Sequence, residues 1–254
     1  MNLILEYIKK NIISNLRYSK FHYFYLKYKN PDYINDLNKE ANFYQDILNK
    51  NDLVFDLGAN FGEKTEIFQR FVKKIICYEP NEYLCKRMIS RFRNNKSVII
   101  VQIIVSDSEG MVDFTFVKDN EAYSTMLPNG LIYFQHLDKS KFNQKKIKST
   151  TLNSEIKKFG IPDYVKIDCE GAEYLILKDL KYPIKLISFE VNLPQSYEDG
   201  IKIIKSLSKK FNYDFNVRQQ NEHKFYFSKN LDIVQVIDFM SNKKISIEVF
   251  SFLK

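Results

Sequence analysis

The chain has 254 residues, with 39 Lys and Arg against 31 Asp and Glu, a formal charge of +8. That length suits one large domain, or one domain with a modest extension, and 44% hydrophobic with 15% aromatic residues is ample for a core, which excludes a disordered chain. Cys77, Cys85 and Cys169 lack CxxC spacing, which argues against a disulfide framework or a zinc site, and no apolar run nears the roughly 18–20 residues of a membrane span.

Residues 1–49 read as a helical extension broken at Asn30-Pro31, because proline disfavours helical geometry in the residue before it. Leu3, Ile4, Tyr7, Ile8 and Ile12 share one helical face. Residues 1–29 set Lys9, Lys10, Arg17, Lys20, Lys27 and Lys29 against Glu6 alone, interleaved with aromatics. Such a segment suits peripheral contact with acidic lipid or nucleic acid. The favoured reading is a helix that packs on the main domain and shows its lysines to water. Lys9 and Lys10 interrupt the apolar stretch a signal peptide needs, so reduced thiols and a cytoplasmic location are expected.

Residues 50–254 read as one α/β domain, since short apolar runs alternate with helical patterns. Leu53-Val54-Phe55 is a buried strand, followed by a helix over 62–71. Ile75 to Tyr78 is the second strand, and Asn81 caps a helix with Leu84, Met88, Ile89 and Phe92 inward. Residues 98–105 form a third strand and 111–117 a half-exposed one. The polar stretch 118–145 reads as an irregular lid. Strands at 164–167 and 184–191 alternate with helices over 172–179 and 196–210. Residues 212–217 and 224–228 are expected to pair as an antiparallel hairpin, before one more helix and a tail.

Several residues gather at the predicted strand ends. Asp56-Leu57-Gly58-Ala59-Asn60-Phe61-Gly62 sets two glycines four apart between a strand and a helix, where the backbone must turn sharply and a ligand can approach closely. The pattern is D-x-G-x-x-x-G, not the GxGxxG of dinucleotide folds. Glu79 ends the second strand in Tyr78-Glu79-Pro80-Asn81, where a carboxylate can accept from both ribose hydroxyls. Ser106 and Asp107 end the third strand, where Asp107 could meet an adenine amino group. Asp168, Glu170 and Glu173 crowd the end of the fourth, and Asp168 and Glu170 are the stronger functional candidates.

Together these residues resemble the FkbM family of S-adenosylmethionine-dependent methyltransferases. The likeness is carried by Val54 to Gly62, Tyr78 to Asn81, Thr151-Leu152, Ile187 to Glu190 and above all Lys166-Ile167-Asp168-Cys169-Glu170-Gly171-Ala172-Glu173, in order over roughly residues 52–191. It implies a three-layer, Rossmann-like, mostly parallel sheet of seven strands, and methyl transfer, usually to an oxygen of a natural product, glycan or other small molecule. The cofactor contacts expected are Asp56, Gly58, Ala59, Asn60, Gly62, Glu79, Pro80, Ser106, Asp107 and Asp168. The base candidates are Asp168 first, Glu170 second and His136, in the lid, third. Nothing in the sequence demands a metal. A non-catalytic S-adenosylmethionine-binding scaffold and a nucleic-acid methyltransferase are the alternatives, although the Asn/Asp-Pro-Pro-aromatic loop and Pro-Cys nucleophile of nucleic-acid enzymes are both missing. Nucleic acid is therefore not the expected partner.

Overall fold

The computed structural model describes residue 29 and residues 31–117, 124–125, 142–220 and 222–254. Its frame is a seven-stranded sheet built from β1 (Leu53–Leu57), β2 (Lys74–Tyr78), β3 (Val98–Val101), β8 (Tyr164–Ile167), β9 (Leu186–Asn192), β10 (Tyr213–Gln219) and β11 (Ser246–Leu253). The spatial order is β10-β11-β9-β8-β1-β2-β3, parallel except for β11, which runs antiparallel to both its neighbours.

Period-two alternation gives the sheet two buried faces. Phe55, Leu57, Val165, Ile167, Ile187 and Phe189 face α4 (Leu152–Phe159), α5 (Glu173–Leu177), α6 (Tyr197–Phe211) and α7 (Ile233–Ser241). Val54, Ile75, Cys77, Tyr164 and Phe250 face α1 (Pro31–Ile47), α2 (Glu63–Phe68) and α3 (Glu82–Phe92). The helix α1 drives Phe43 and Tyr44 into that second core. It is also held by charge: Arg218 of β10 donates to Glu40 of α1 at 2.8 Å and to Glu248 of β11, and Lys64 of α2 pairs with Glu40. His223 sits between Glu40 and Asp36, 2.7 Å from each. Burial pushes the Glu40 carboxyl up, but Lys64 and Arg218 outweigh it and bring the pKa down to about 2.

Several local expectations change. The apolar run 98–105 is two strands, because the Ile103 N–H turns back to Val101 O (3.1 Å) and ends β3. The remainder, β4 (Ile104–Ser106), pairs with β7 (Phe142–Thr151) in a separate four-stranded sheet with β5 (Gly110–Val117) and β6 (Ser124–Thr125). An unbroken apolar run carries no signal for that turn. Residues 142–145, expected as irregular lid, are ordered strand because they pair along β5, while most of the remaining lid lies outside the described residues. The C-terminal antiparallel pair is present, but its second arm is β11, not 224–228. The segment expected there is no strand: it reaches β10 through Tyr226 N–H to Val217 O and through the Asn216 side chain, which bonds the Phe227 backbone, and the chain bridges β10 again at Phe215–Leu231. Ile89, placed on the inner face of α3, is 56% exposed, while Leu84, Met88 and Phe92 are buried.

Candidate functional site

The parallel strands β2, β1 and β8 end side by side, and a cleft opens above them. Its floor and near wall come from the turns after those strands. Its far wall comes from Ile103, Ile104, Val105 and Phe114, at the join between the two sheets.

The turn after β1 holds Gly58, Asn60 and Gly62 at φ +74°, +51° and +77°, three left-handed positions within five residues. Gly58 and Ala59 both donate to Tyr78 O (3.0 and 3.2 Å), which folds the turn over the end of β2. A Cβ on Gly58 would stand 1.8 Å from Asp168 O, so the turns after β1 and β8 meet backbone to backbone, and only glycine fits. Gly62 then caps α2.

Glu79 leaves β2 with its carboxylate already oriented: one oxygen accepts from Asn60 N–H (2.9 Å), the other from Asn81 N–H (2.8 Å). Burial pushes its pKa up to about 7, against the pull of those two donors. A carboxylate has about four acceptor directions, so two remain for a ligand. Asn60 Oδ1 is buried beside it with no partner among the described residues.

The third turn follows β8. Lys166 is buried on the α1 face of the sheet, and its Nζ meets Asp168 Oδ2 at 3.0 Å. Burial opposes its charge, but Asp168, Asp56 and Glu248 together hold its pKa above the ordinary lysine value. Glu170 (φ +50°) and Gly171 (φ +97°) turn the chain toward α5. Burial pushes the Glu170 carboxyl up to about 8, helped by Asp168, Glu190 and Glu173. Glu173 is buried under the turn, where Oε1 accepts from Cys169 N–H (2.9 Å) and Gly171 N–H (3.4 Å). Burial raises its pKa to about 7. Glu190 of β9 also sits high, through burial and the charge of Asp168, and accepts from Ser246 at 2.8 Å.

The fold thus brings Gly58, Asn60, Glu79, Pro80, Asp168 and Glu170 to one cleft. Asp56, Ala59, Gly62, Ser106 and Asp107 are not among the residues that line it. Asp56 is wholly buried and accepts from Thr65 of α2 at 2.7 Å, so it braces the turn from below. Burial raises its pKa, partly offset by Lys166. Ser106 bonds to Ser149 across β4 and β7 at 2.6 Å, and Asp107 pairs with Lys178 at 2.6 Å. His136 lies outside the described residues. Sequence reasoning missed Lys166 and underrated Glu173. The signal for Lys166 was present: a lone charge inside the apolar run Tyr164-Val165-Lys166-Ile167, two residues before Asp168 and on its face.

The lining fixes what the cleft can accept. Among the described residues, three carboxylates and Asn60 line it with no lysine or arginine, and Leu84, Ile103, Val105 and Phe114 add apolar surface. That set, once Glu79 and Glu170 are ionised, favours a cation that carries hydroxyls and a flat base. S-adenosylmethionine fits on all three counts. Among the described residues no group of three or more His, Cys, Asp or Glu side chains is arranged to hold a metal ion. No described helix is long and apolar enough to cross a membrane.

Residues 56–240 match the model of the methyltransferase FkbM domain. No curated protein sequence matches the chain. Among solved structures it is similar to a precorrin-6y C5,15-methyltransferase from Geobacter metallireducens GS-15, at 10% identity over 86% of each chain with a TM-score of 0.45. A tRNA (m1A58) methyltransferase, TrmI, from Aquifex aeolicus is similar at 12% identity over 86% of this chain and 69% of that one, with a TM-score of 0.44. A TehB-like methyltransferase from Corynebacterium glutamicum is similar at 7% identity over 85% and 88%, with a TM-score of 0.45. None of the three bears on the substrate, and the assignment rests on the domain match: the chain belongs to the FkbM methyltransferase family, a family of S-adenosylmethionine-dependent enzymes.

Proposed function

We propose that the chain methylates a hydroxyl oxygen on a glycan, natural product or other small molecule. The observation that carries this reading is the meeting of Asp168 and Glu170 with the Gly58 turn and Glu79 in one cleft. S-adenosylmethionine supplies, when bound, a methyl group already activated on a sulfonium centre. The protein's own part is to bind, to aim and to take a proton. Glu79 would hold the ribose hydroxyls through its two remaining acceptor directions. Asn60 Oδ1 would accept from the ligand's amino-acid end. Holding the acceptor in line can supply about 7–11 kcal/mol of the barrier in favourable cases.

A hydroxyl must also lose its proton, and a positioned base typically adds about 10²–10⁴-fold. Burial and ion pairing divide the two candidates. Asp168 is paired with buried Lys166, which suits it to orient a ligand. Glu170 is pushed up to about 8, which matches a base working near neutral pH. Glu170 therefore takes the proton in this reading, and Asp168 orients. The free cysteines support a reducing compartment, the cytoplasm.

The test is calorimetry with S-adenosylmethionine and S-adenosylhomocysteine, followed by transfer of radiolabelled methyl groups to panels of hydroxylated small molecules, glycans and RNA. Binding together with label on a hydroxylated acceptor supports the reading. Binding with no transfer to any acceptor favours the scaffold reading, and label on RNA alone favours the nucleic-acid one.

A further inference from the structure

Lys166 enters the reading above only as the partner of Asp168, yet it is itself a buried charge near the cleft. It occupies the middle of β8, in the centre of the large sheet, where Tyr164, Val165 and Ile167 are all buried. An apolar side chain in such a place generally stabilises a fold at least as well as an ion pair does. The ammonium therefore calls for a reason beyond packing. Its surroundings are lopsided. The Lys166 side chain is 6% exposed, and the Asp168 side chain that it holds at 3.0 Å is 43% exposed. Asp168 lines the cleft and Lys166 does not. Its strand neighbours at the same register, Asp56 on β1 and Ser188 on β9, are wholly buried. The ammonium thus meets the cleft only through the Asp168 carboxylate.

We propose that Lys166 is a positioning residue, which fixes the Asp168 carboxylate as an oriented acceptor at the floor of the cleft and touches no ligand itself. A free aspartate half open to solvent samples several rotamers. An ion pair on one oxygen holds that oxygen in place and turns the other outward. The pair also leaves Asp168 close to neutral as a unit, so a carboxylate can be kept beside Glu170 and Glu190 without the full repulsion of three bare charges. The choice of ligand rests on the methyl-donor reading; the geometry of the pair does not.

The experiment is a double-mutant cycle on the full chain with S-adenosylhomocysteine as the probe, using Lys166→Met, Asp168→Asn and the double variant, with Lys166→Arg as the conservative control. Lys166→Met is expected to weaken binding about tenfold in the wild-type background and less than about twofold in the Asp168→Asn background. Lys166→Arg is expected to recover most of the loss. An equal loss in both backgrounds means a general structural role and overturns the proposal. If the wild-type protein binds neither S-adenosylmethionine nor the probe, the methyl-donor reading fails on its own. Crystal structures of the wild type and Lys166→Arg then decide the proposal, alongside Lys166→Met where it folds. An Asp168 carboxylate displaced in Lys166→Met and retained in Lys166→Arg supports it. An Asp168 carboxylate unmoved in Lys166→Met, or lost in Lys166→Arg, overturns it.

Discussion

Gly58→Ala isolates the contact on which the cleft is built. Gly58 and Gly62 have nearly the same left-handed backbone, at φ +74° and +77°, so alanine at either costs about 1–2 kcal/mol in conformation alone. The two differ in what the new methyl meets. At Gly62 the nearest atom is Phe92 Cε2 at 2.7 Å, at the end of a side chain that can shift. At Gly58 it is Asp168 O at 1.8 Å, a backbone atom of a residue whose own N–H is tied to Leu57 O at 3.1 Å. Relief there requires the whole turn after β8 to move, and such overpacking costs about a further 1–3 kcal/mol. Gly58→Ala should therefore lose about 2–5 kcal/mol of stability, and more than Gly62→Ala. Urea unfolding followed by circular dichroism measures both. Any folded Gly58→Ala protein should also bind S-adenosylhomocysteine more weakly, because Asp168 is carried out of the cleft with its turn. A loss at Gly58 below about 1 kcal/mol, or no larger than that at Gly62, would refute the reasoning.

Glu40 has a depressed pKa in the folded chain, so the stability it contributes is present above pH 4.5 and is lost as the pH falls toward 2. That share is on the order of 3 kcal/mol, and Glu40→Gln should flatten the stability profile across that window. Arg218→Met strips Glu40 and Glu248 of their guanidinium and should cost about 3–5 kcal/mol by the same urea assay. Glu170 behaves in the opposite sense. Its folded pKa is raised to about 8, so its ionisation destabilises the fold as the pH climbs from 4.5 through 8, and Glu170→Gln should be the more stable protein at pH 8.5. Ionised Glu79 and Glu170 attract a sulfonium, so calorimetric affinity for S-adenosylmethionine should rise between pH 6 and 8.5, and more steeply than for uncharged-sulfur S-adenosylhomocysteine.

Most strands of the large sheet were legible because they rest on local chemistry. Strand 164–167 was bounded to the residue, and Asn81 caps its helix through Tyr83 N–H, since an apolar run or a capping side chain announces itself within a few positions. What escaped depends on distant partners. Ser246–Leu253 alternates as a strand should, yet at the end of a chain it read as a tail; its place between β9 and β10 is settled by residues some 30 and 60 positions earlier. The ion pair of Asp107 with Lys178, a partner 71 residues away, likewise had no local signal. Glu173, grouped with Asp168 and Glu170 at the end of the fourth strand, starts α5 and is also the acceptor that shapes the preceding turn, a role set by the path of the backbone.

The tight reversal at Gln102-Ile103, where the chain quits one sheet to begin another, gives the cavity a division of labour. One jaw is built into the central sheet and carries every acidic group among the described lining residues. The opposing jaw is greasy and belongs to a module that pairs with its own strands. Mutational drift in that module can resculpt what is admitted, while the machinery beneath keeps its shape.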